Sequence, residues 1–324
     1  MSLQFRIKLF QHLINSSIQM LQSILAEIKI GLDFPEKLKI RDPENVEKKL
    51  ERLVEGGPDC LQVITDFDHT LTKFKTPDGL RCDTCHGIVD NSSLVEEEFR
   101  RKTNALRDKY YPIEVDHEMT LQQKIPLMIE WYTQSQNVLV EYRVTKSQIK
   151  EMVLKSRAFL RDGAKEVLSM LNMHRIPVLI FSAGVGNILE SVLEREQVHF
   201  PNIKVVSNYM DFDECDRVTS FQKPLIHMFN KNENALRHST YFAELQSRRN
   251  ALLLGDSLGD VHMDHGMPSS HKEEGVVLKI GFLNDKISER CPEFMENFDI
   301  VLEDDQSFKL MQLILSRIIK DAKQ

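Results

Sequence analysis

The sequence predicts an α/β protein, a doubly wound and mostly parallel sheet with a small helical cap inserted after the first core strand. Three observations predict it. Six short apolar runs recur between helix-length segments. Three of those runs end in Asp66, Ser182 and Asp256, polar residues of the kind a ligand crevice uses. Between the first run and the second, residues 91–158 are charged, helix-prone and without a convincing strand. Near-continuous apolar runs suit strands buried on both faces. Strands separated by helices imply right-handed parallel crossovers.

The elements follow in order. In residues 1–32, Leu3, Ile7, Phe10, Ile14, Ile18, Leu21, Leu25, Ile28 and Leu32 recur at steps of three or four, one apolar stripe on a helix. Arg6, Lys8, His12 and several glutamines interrupt the run, which argues against a membrane span. A packing helix is the plain expectation, and contact with a membrane surface or a partner through residues 1–32 is the sharper one. Pro35 and Pro43 punctuate a linker, so residues 1–35 read as helix plus linker. A charged helix over 44–55 stops at Gly56-Gly57-Pro58. The expected strands are Leu61–Thr65, Ile176–Phe181, Lys204–Val206, Asn250–Leu254, Val276–Ile280 and Asp299–Leu302, with a helix over 163–173 before the second. Residues 36–90 and 159–324 form the core, and 91–158 the cap, with helices over 93–109 and 121–132.

Composition narrows the function. The 324 residues are 41% hydrophobic and 28% charged, enough for a core without disulfides. A net charge of -7 argues against a nucleic-acid polymer as partner. An anionic substrate must then meet a metal ion or a focused local field. Five cysteines with one close pair, Cys82 and Cys85, and no cleavable signal peptide suggest a reducing compartment, the cytoplasm.

The acids carry the chemistry. Asp66-Phe67-Asp68-His69-Thr70 directly follows the first strand, where open α/β sheets bind ligands. One carboxylate can attack phosphorus while a Mg²⁺ ion cancels its repulsion from the phosphate. The other can protonate the leaving oxygen and later deprotonate water. Gly255-Asp256-Ser257-Leu258-Gly259-Asp260 follows the fourth strand. Asp256 is placed to ligate a hard cation, and Asp260 to orient its water or a phosphate-binding lysine. Ser182-Ala183-Gly184 follows the second strand and leads into an expected helix, offering a hydroxyl and free N–H groups to phosphate. Each motif alone has a bland reading, as a solvated turn or a helix cap. All three at parallel strand ends point to metal-assisted phosphoryl transfer.

This combination resembles the haloacid dehalogenase superfamily. The runs Ile64–Leu71, Arg81–His86, Lys109–Asp116, Glu130–Thr133, Phe181–Gly184 and Leu254–Ser257 are similar to cytosolic 5'-nucleotidase III, the pyrimidine 5'-nucleotidase family, over about residues 36–320. The resemblance implies Asp66 as nucleophile and Mg²⁺ ligand. Asp68 would be the acid/base and lend its carbonyl to the ion, Asp256 would be a further ligand, and Ser182 and Ala183 would contact phosphate. Thr70 and Asp260 would support them. Lys223 and Lys231 both lie between the motifs, and the resemblance selects Lys231. In the cap it places Glu114 and Ser135 against the nucleotide, and Asn91 and Tyr132 near the base. Taken alone, Glu114 and Ser135 read as helix-surface residues, and Trp131 as a residue packing its helix. Relatives favouring 7-methylguanosine monophosphate carry Trp at the Tyr132 position, and a cationic base gains most from Trp. Tyr132 therefore leans toward CMP and UMP.

The expectation is a monomeric Mg²⁺-dependent nucleoside 5'-monophosphate hydrolase with some phosphotransfer to a second nucleoside. A phosphatase of another metabolite such as phosphoserine is the alternative, and a non-catalytic nucleotide-binding protein is another. Cys82-Asp83-Thr84-Cys85-His86 matches a haem-attachment pattern and could supply zinc ligands. No second Cys/His pair sits at zinc-finger spacing, so a structural role near the cap hinge is favoured. His262 and His265, three apart on an expected helix, read as a surface pair, and Asp211, Asp213, Glu214 and Asp216 as a solvated loop.

Overall fold

The computed structural model describes residues 23–116, 118–231, 245, 247–265, 267 and 275–321. In chain order its elements are α1 (Ile24–Gly31), β1 (Leu38–Lys39), α2 (Pro43–Gly56), β2 (Leu61–Thr65), α3 (Cys85–Asp90), α4 (Glu97–Glu114), α5 (Leu121–Glu141), α6 (Lys146–Lys155), α7 (Ala164–Met173) and β3 (Val178–Val185). Then come α8 (Gly186–Arg195), β4 (Ile203–Asn208), β5 (Met210–Phe212), β6 (Val218–Phe221), β7 (Asn250–Gly255), β8 (Val277–Leu283), α9 (Ile287–Asn297), β9 (Ile300–Glu303) and α10 (Lys309–Asp321).

Seven strands form one sheet in the order β1-β9-β8-β7-β2-β3-β4. Every pairing is parallel except β1 with β9. The chain winds outward from β2 to β3 and β4, then returns to build β7, β8 and β9 on the other side. The winding direction therefore switches at β2, which opens the crevice beside its carboxyl end. All five residues of β2 are buried, as a strand covered on both faces requires. Even Gln62 is enclosed, its Nε2 donating to the Arg248 carbonyl at 2.6 Å.

The described part of 97–155 carries α4, α5 and α6 and no strand, apart from a single antiparallel bridge between Thr145 and Arg217. Thr120 starts α5 with a reciprocal capping box, its hydroxyl accepting from the Gln123 N–H while the Gln123 side chain accepts from the Thr120 N–H. Both expected cap helices run further than the sequence pattern indicates, to Glu114 and to Glu141.

Two elements depart from expectation. The acidic stretch is no plain loop but the hairpin β5–β6, pinned by buried Met210 and Val218. Asp213 closes its turn by accepting from the N–H groups of Cys215 and Arg217, both at 2.9 Å. His262 and His265 lie in a turn rather than on a helix, their ring centroids 4.7 Å apart.

Leu3 to Leu21 of the N-terminal stripe fall outside the described residues. The part that is described packs: Ile24, Leu25 and Ile28 are buried in the main core. Glu47 on α2 binds the start of α1, accepting from the Ser23 hydroxyl (2.8 Å), Ile24 N–H (2.7 Å) and Leu25 N–H (3.0 Å). A carboxylate at a helix N-terminus is favoured by the unpaired N–H groups and the dipole. At the other end Gly31 lies on Leu313, and Glu27 pairs with Arg317 at 3.3 Å. No described helix is long and apolar enough to cross a membrane.

Candidate active site

The site begins where β2 leaves the sheet. The Asp66 N–H still donates to the Leu254 carbonyl of β7, at 3.0 Å. Beyond it the chain turns sharply, with His69 in the left-handed region at φ 60° and its N–H donating to Thr72 Oγ1 at 2.8 Å. Arg161 fixes this turn from outside. Its guanidinium donates to the carbonyls of Thr70 (2.8 Å), Gln306 (2.8 Å) and His69, and to Asn284 Oδ1 (2.8 Å). It also pairs with Asp305 at 2.5 Å and lies 4.4 Å over the Phe282 ring. Sequence reasoning missed Arg161, because no spacing marks an arginine whose partners come from three distant loops.

Asp66, Asp256 and Asp260 bring ligand oxygens within 4.8 Å of one another. Gly255 permits this crowding, since a Cβ there would sit 2.4 Å from that of Asp260. The ammonium of Lys231 lies between two of the acids, bonded to Asp66 and 2.8 Å from Asp260. Asp260 is held in turn by the Ser257 N–H (3.0 Å) and hydroxyl (2.8 Å). Burial, aided by Asp260 and Asp68 and opposed by Lys231, raises Asp66 to about 7. Burial, then Asp66 and Asp260, push Asp256 well above the usual carboxylate range. Although burial opposes its charge, Asp260 and Asp66 hold Lys231 above the usual lysine range. Acids that resist ionising together, one lysine among them, fit a divalent cation with oxygen ligands.

Asp68 stands beside this cluster. Its Oδ1 accepts from the Cys85 N–H at 2.9 Å, and burial raises it to about 6. Ser182 sits inside β3, not at a helix start, because the strand continues to Val185 and α8 begins only at Gly186. The Gly184 N–H donates to Ser182 Oγ at 3.0 Å, so that amide is not free as expected. The pairing of β3 with β4 slips between Phe181 and Val185, which bends Ser182 and Ala183 toward the crevice.

A cavity of about 1130 Å³ opens over these groups. Its floor holds Asp66, Asp68, Ser182, Ala183, Lys231 and Asp256, and its cap side Asn91, Glu114, Tyr132 and Ser135. Asp260 and Thr70 stand behind the wall, both fully buried, and the Thr70 hydroxyl has no partner among the described residues. Asn91 is exposed and its amide donates to Asp83 at 2.9 Å. Burial lifts Glu114 to about 7, with Lys124, Arg81 and Lys231 acting against it. Trp131 both packs, stacked 5.9 Å from Tyr110, and lines the cavity. His86, singled out only as part of the cysteine run, lines it too, edge-on to Tyr132 at 5.8 Å. Lys223, the other candidate lysine, is exposed and does not line it.

Comparison with known proteins identifies the family. The family model for pyrimidine 5'-nucleotidase (UMPH-1) matches residues 69–319. The human 7-methylguanosine phosphate-specific 5'-nucleotidase is 43% identical over 280 residues, 86% of this chain and 92% of its own length. The putative cytosolic 5'-nucleotidase 3 of Caenorhabditis elegans is 37% identical over 288 residues, 87% of this chain and 76% of its own length. The crystal structure of cytosolic 5'-nucleotidase IIIB bound to cytidine superposes with a TM-score of 0.82 at 39% identity, covering 88% of this chain and 95% of that one. These matches set aside the non-nucleotide phosphatase and the idle binding protein. The chain is a 5'-nucleotidase and belongs to the pyrimidine 5'-nucleotidase family.

Proposed function

We propose that the chain hydrolyses CMP and UMP, and more weakly 7-methyl-GMP, through a phosphoaspartate on Asp66, with Mg²⁺ as the metal. The observation that carries this reading is the buried Asp66–Lys231–Asp260 bridge beside Asp256, on the floor of a cavity walled by aromatic rings and Glu114.

Asp66 and Asp256, with the main-chain carbonyl of Asp68, would hold the ion. When bound, it offsets the repulsion between these carboxylates and the substrate phosphate. Lys231, the Ser182 hydroxyl and the Ala183 N–H orient the phosphate. A carboxylate oxygen of Asp66 attacks phosphorus as the bond to the 5'-oxygen breaks, and Asp68 gives its proton to that oxygen. Asp68, now ionised, takes a proton from water, which attacks the phosphoaspartate. Phosphate leaves and the Asp66 carboxylate is restored. A second nucleoside in the water's place accepts the phosphoryl group instead. Tyr132 and His86 offer ring faces to the base, which stack without selecting it. The site needs no second subunit, since one chain supplies all these groups. A monomer in the cytoplasm is the reading we favour, supported by the cytosolic name of the nematode relative. Contact with a membrane or partner, expected of residues 1–32, stands as a separate proposal for residues 1–22 alone, because Ile24, Leu25 and Ile28 are spent on the core, and it is tested by deleting 1–22 and following membrane association.

The relatives named for 7-methylguanosine phosphate favour a second reading, in which that nucleotide is the better substrate. Phosphate release from CMP, UMP, 7-methyl-GMP, AMP and phosphoserine, with Mg²⁺ and with EDTA, beside Asp66→Asn, tests both. Metal-dependent release from pyrimidine nucleotides, lost in the variant, supports the first. Faster release from 7-methyl-GMP than from CMP moves the second ahead. Release that survives in Asp66→Asn overturns the phosphoaspartate.

A further inference from the structure

The Cys82–His86 run holds neither a haem nor a metal role in the proposed mechanism, yet it touches three things at once. The Cys85 N–H donates to Asp68 Oδ1 at 2.9 Å. The Cys85 side chain is fully buried against the end of β3 that would hold phosphate, since a Cβ on Gly184 would come 2.9 Å from the Cys85 Cβ and 3.1 Å from its Sγ. Two residues earlier, the buried carboxylate of Asp83 joins both chain connections of the cap. Oδ1 accepts from Asn91 Nδ2 at 2.9 Å where the chain runs into the cap, and Oδ2 accepts from the Arg157 N–H at 2.8 Å where it returns. Between them Thr84 caps α3, its hydroxyl accepting from the Gly87 N–H at 3.1 Å, so Asp83 and Cys85 are tied to one short rigid helix. The exit is stapled from the core side as well, where Arg195 donates to the Val153 carbonyl at 2.6 Å and to the Ala158 carbonyl.

We propose that this run couples the cap to the acid/base: Asp83 senses the placement of both cap connections, and Cys85 is the positioning residue that transmits it to the Asp68 carboxyl. The inference rests on the reading of Asp68 as the proton donor. A carboxyl held by the N–H and the thiol of one residue follows the backbone that carries both donors. Cap closure that carries α3 with it then aims the Asp68 proton at the 5'-oxygen only when the nucleotide is enclosed.

Asp83→Ala, in the full-length enzyme with Mg²⁺, tests the coupling. It removes no group from Asp68 and leaves the Cys85 N–H in place. Single-turnover phosphorylation is compared between CMP, whose nucleoside leaves only with a proton, and p-nitrophenyl phosphate, whose leaving group needs none. The expected result is a loss of about tenfold or more with CMP and a change below about twofold with p-nitrophenyl phosphate. KM for CMP stays within about threefold, and Asp83→Asn, which keeps an acceptor oxygen, regains most of the CMP rate. Equal losses with both substrates, a rise in KM alone, or no loss overturn the coupling. Should Asp83→Ala not fold, as judged by circular dichroism, the same comparison on Asp83→Glu, which keeps the charge but displaces the carboxylate from Asn91 and the Arg157 N–H, decides by the same criteria. Asp68→Asn measured alongside separates the two readings. Leaving-group sensitivity in Asp68→Asn but not in Asp83→Ala overturns the coupling alone. Its absence from both overturns Asp68 as proton donor, and the coupling with it.

Discussion

Lys231 and Asp260 form an ion pair of 2.8 Å between side chains 5% and 1% exposed, and the same ammonium bonds Asp66. Removing one partner of such a group strands the others as buried charge. Lys231→Met is expected to lower kcat by about 10²-fold or more, as loss of a pre-set electrostatic group does. It should also cost about 3–5 kcal/mol of stability in metal-free protein. Phosphate release and urea unfolding check the two parts, and unchanged stability would contradict a charged Lys231 between charged acids.

Metal dependence should be visible in the protein itself. The crowding of Asp66, Asp256 and Asp260 penalises the metal-free fold, and Mg²⁺ should raise both stability and Tm with the logarithm of its concentration above Kd, the stability by about 2.7 kcal/mol at a hundred times Kd. Asp256→Asn removes one repelling charge. Its Tm in EDTA should exceed that of the natural chain, while the Mg²⁺-induced rise shrinks. A full Mg²⁺ response in this variant would remove Asp256 from the ligand set.

Glu114 sets a pH dependence. Burial raises it from 4.5 to about 7. Between those values the folded chain keeps a proton that the unfolded chain has lost, so the contribution to stability falls as pH rises through that window and the cost is full above about 7. Glu114→Gln should therefore match the natural chain in Tm near pH 4 and exceed it at pH 8. In binding the sign reverses, because the charged carboxylate attracts a cationic base. Relative to CMP, the methylated purine nucleotide should show a KM that falls from pH 6 to pH 8, and the Gln variant should lose that trend.

Tyr132→Trp should shift preference toward 7-methyl-GMP over CMP by about two- to fivefold, the size of a partly exposed cation–π gain. The ratio of the two kcat/KM values reads this directly. A shift toward CMP would place the base elsewhere in the cavity.

Arg161→Lys should not substitute for the natural residue. A lysine has three donors on a point charge and cannot span the carbonyls of His69, Thr70 and Gln306 together with Asn284 and Asp305. Destabilisation of about 3 kcal/mol or more is expected, measured by urea unfolding.

What could be read in advance follows from range. The parallel strands leading to Asp66 and Asp256, and the one that carries Ser182, were legible because burial on both faces writes itself as short apolar runs, although β3 continues past Ser182 to Val185. Strand β1 was not, since two residues make no pattern and only its pairing with β9 defines it. The β5–β6 hairpin hid because exposed acids interrupt the apolar positions that anchor it. Lys231 could be picked only by resemblance, because its partner Asp66 lies 165 residues away. Cys85 was noticed for its thiol, and the structure adds its backbone N–H, a group every residue but proline carries, as a donor to Asp68.

The pairing of α1 with α10 has one more consequence. Gly31 meets Leu313 and Glu27 meets Arg317, so the two helices run antiparallel and Ser23 comes beside the end of α10. The described chain thus closes nearly into a ring, and none of its cavity-lining residues belongs to either helix. A short bridge across that seam would let the polypeptide be opened elsewhere, a circular permutation that leaves the catalytic floor and its lid in their places.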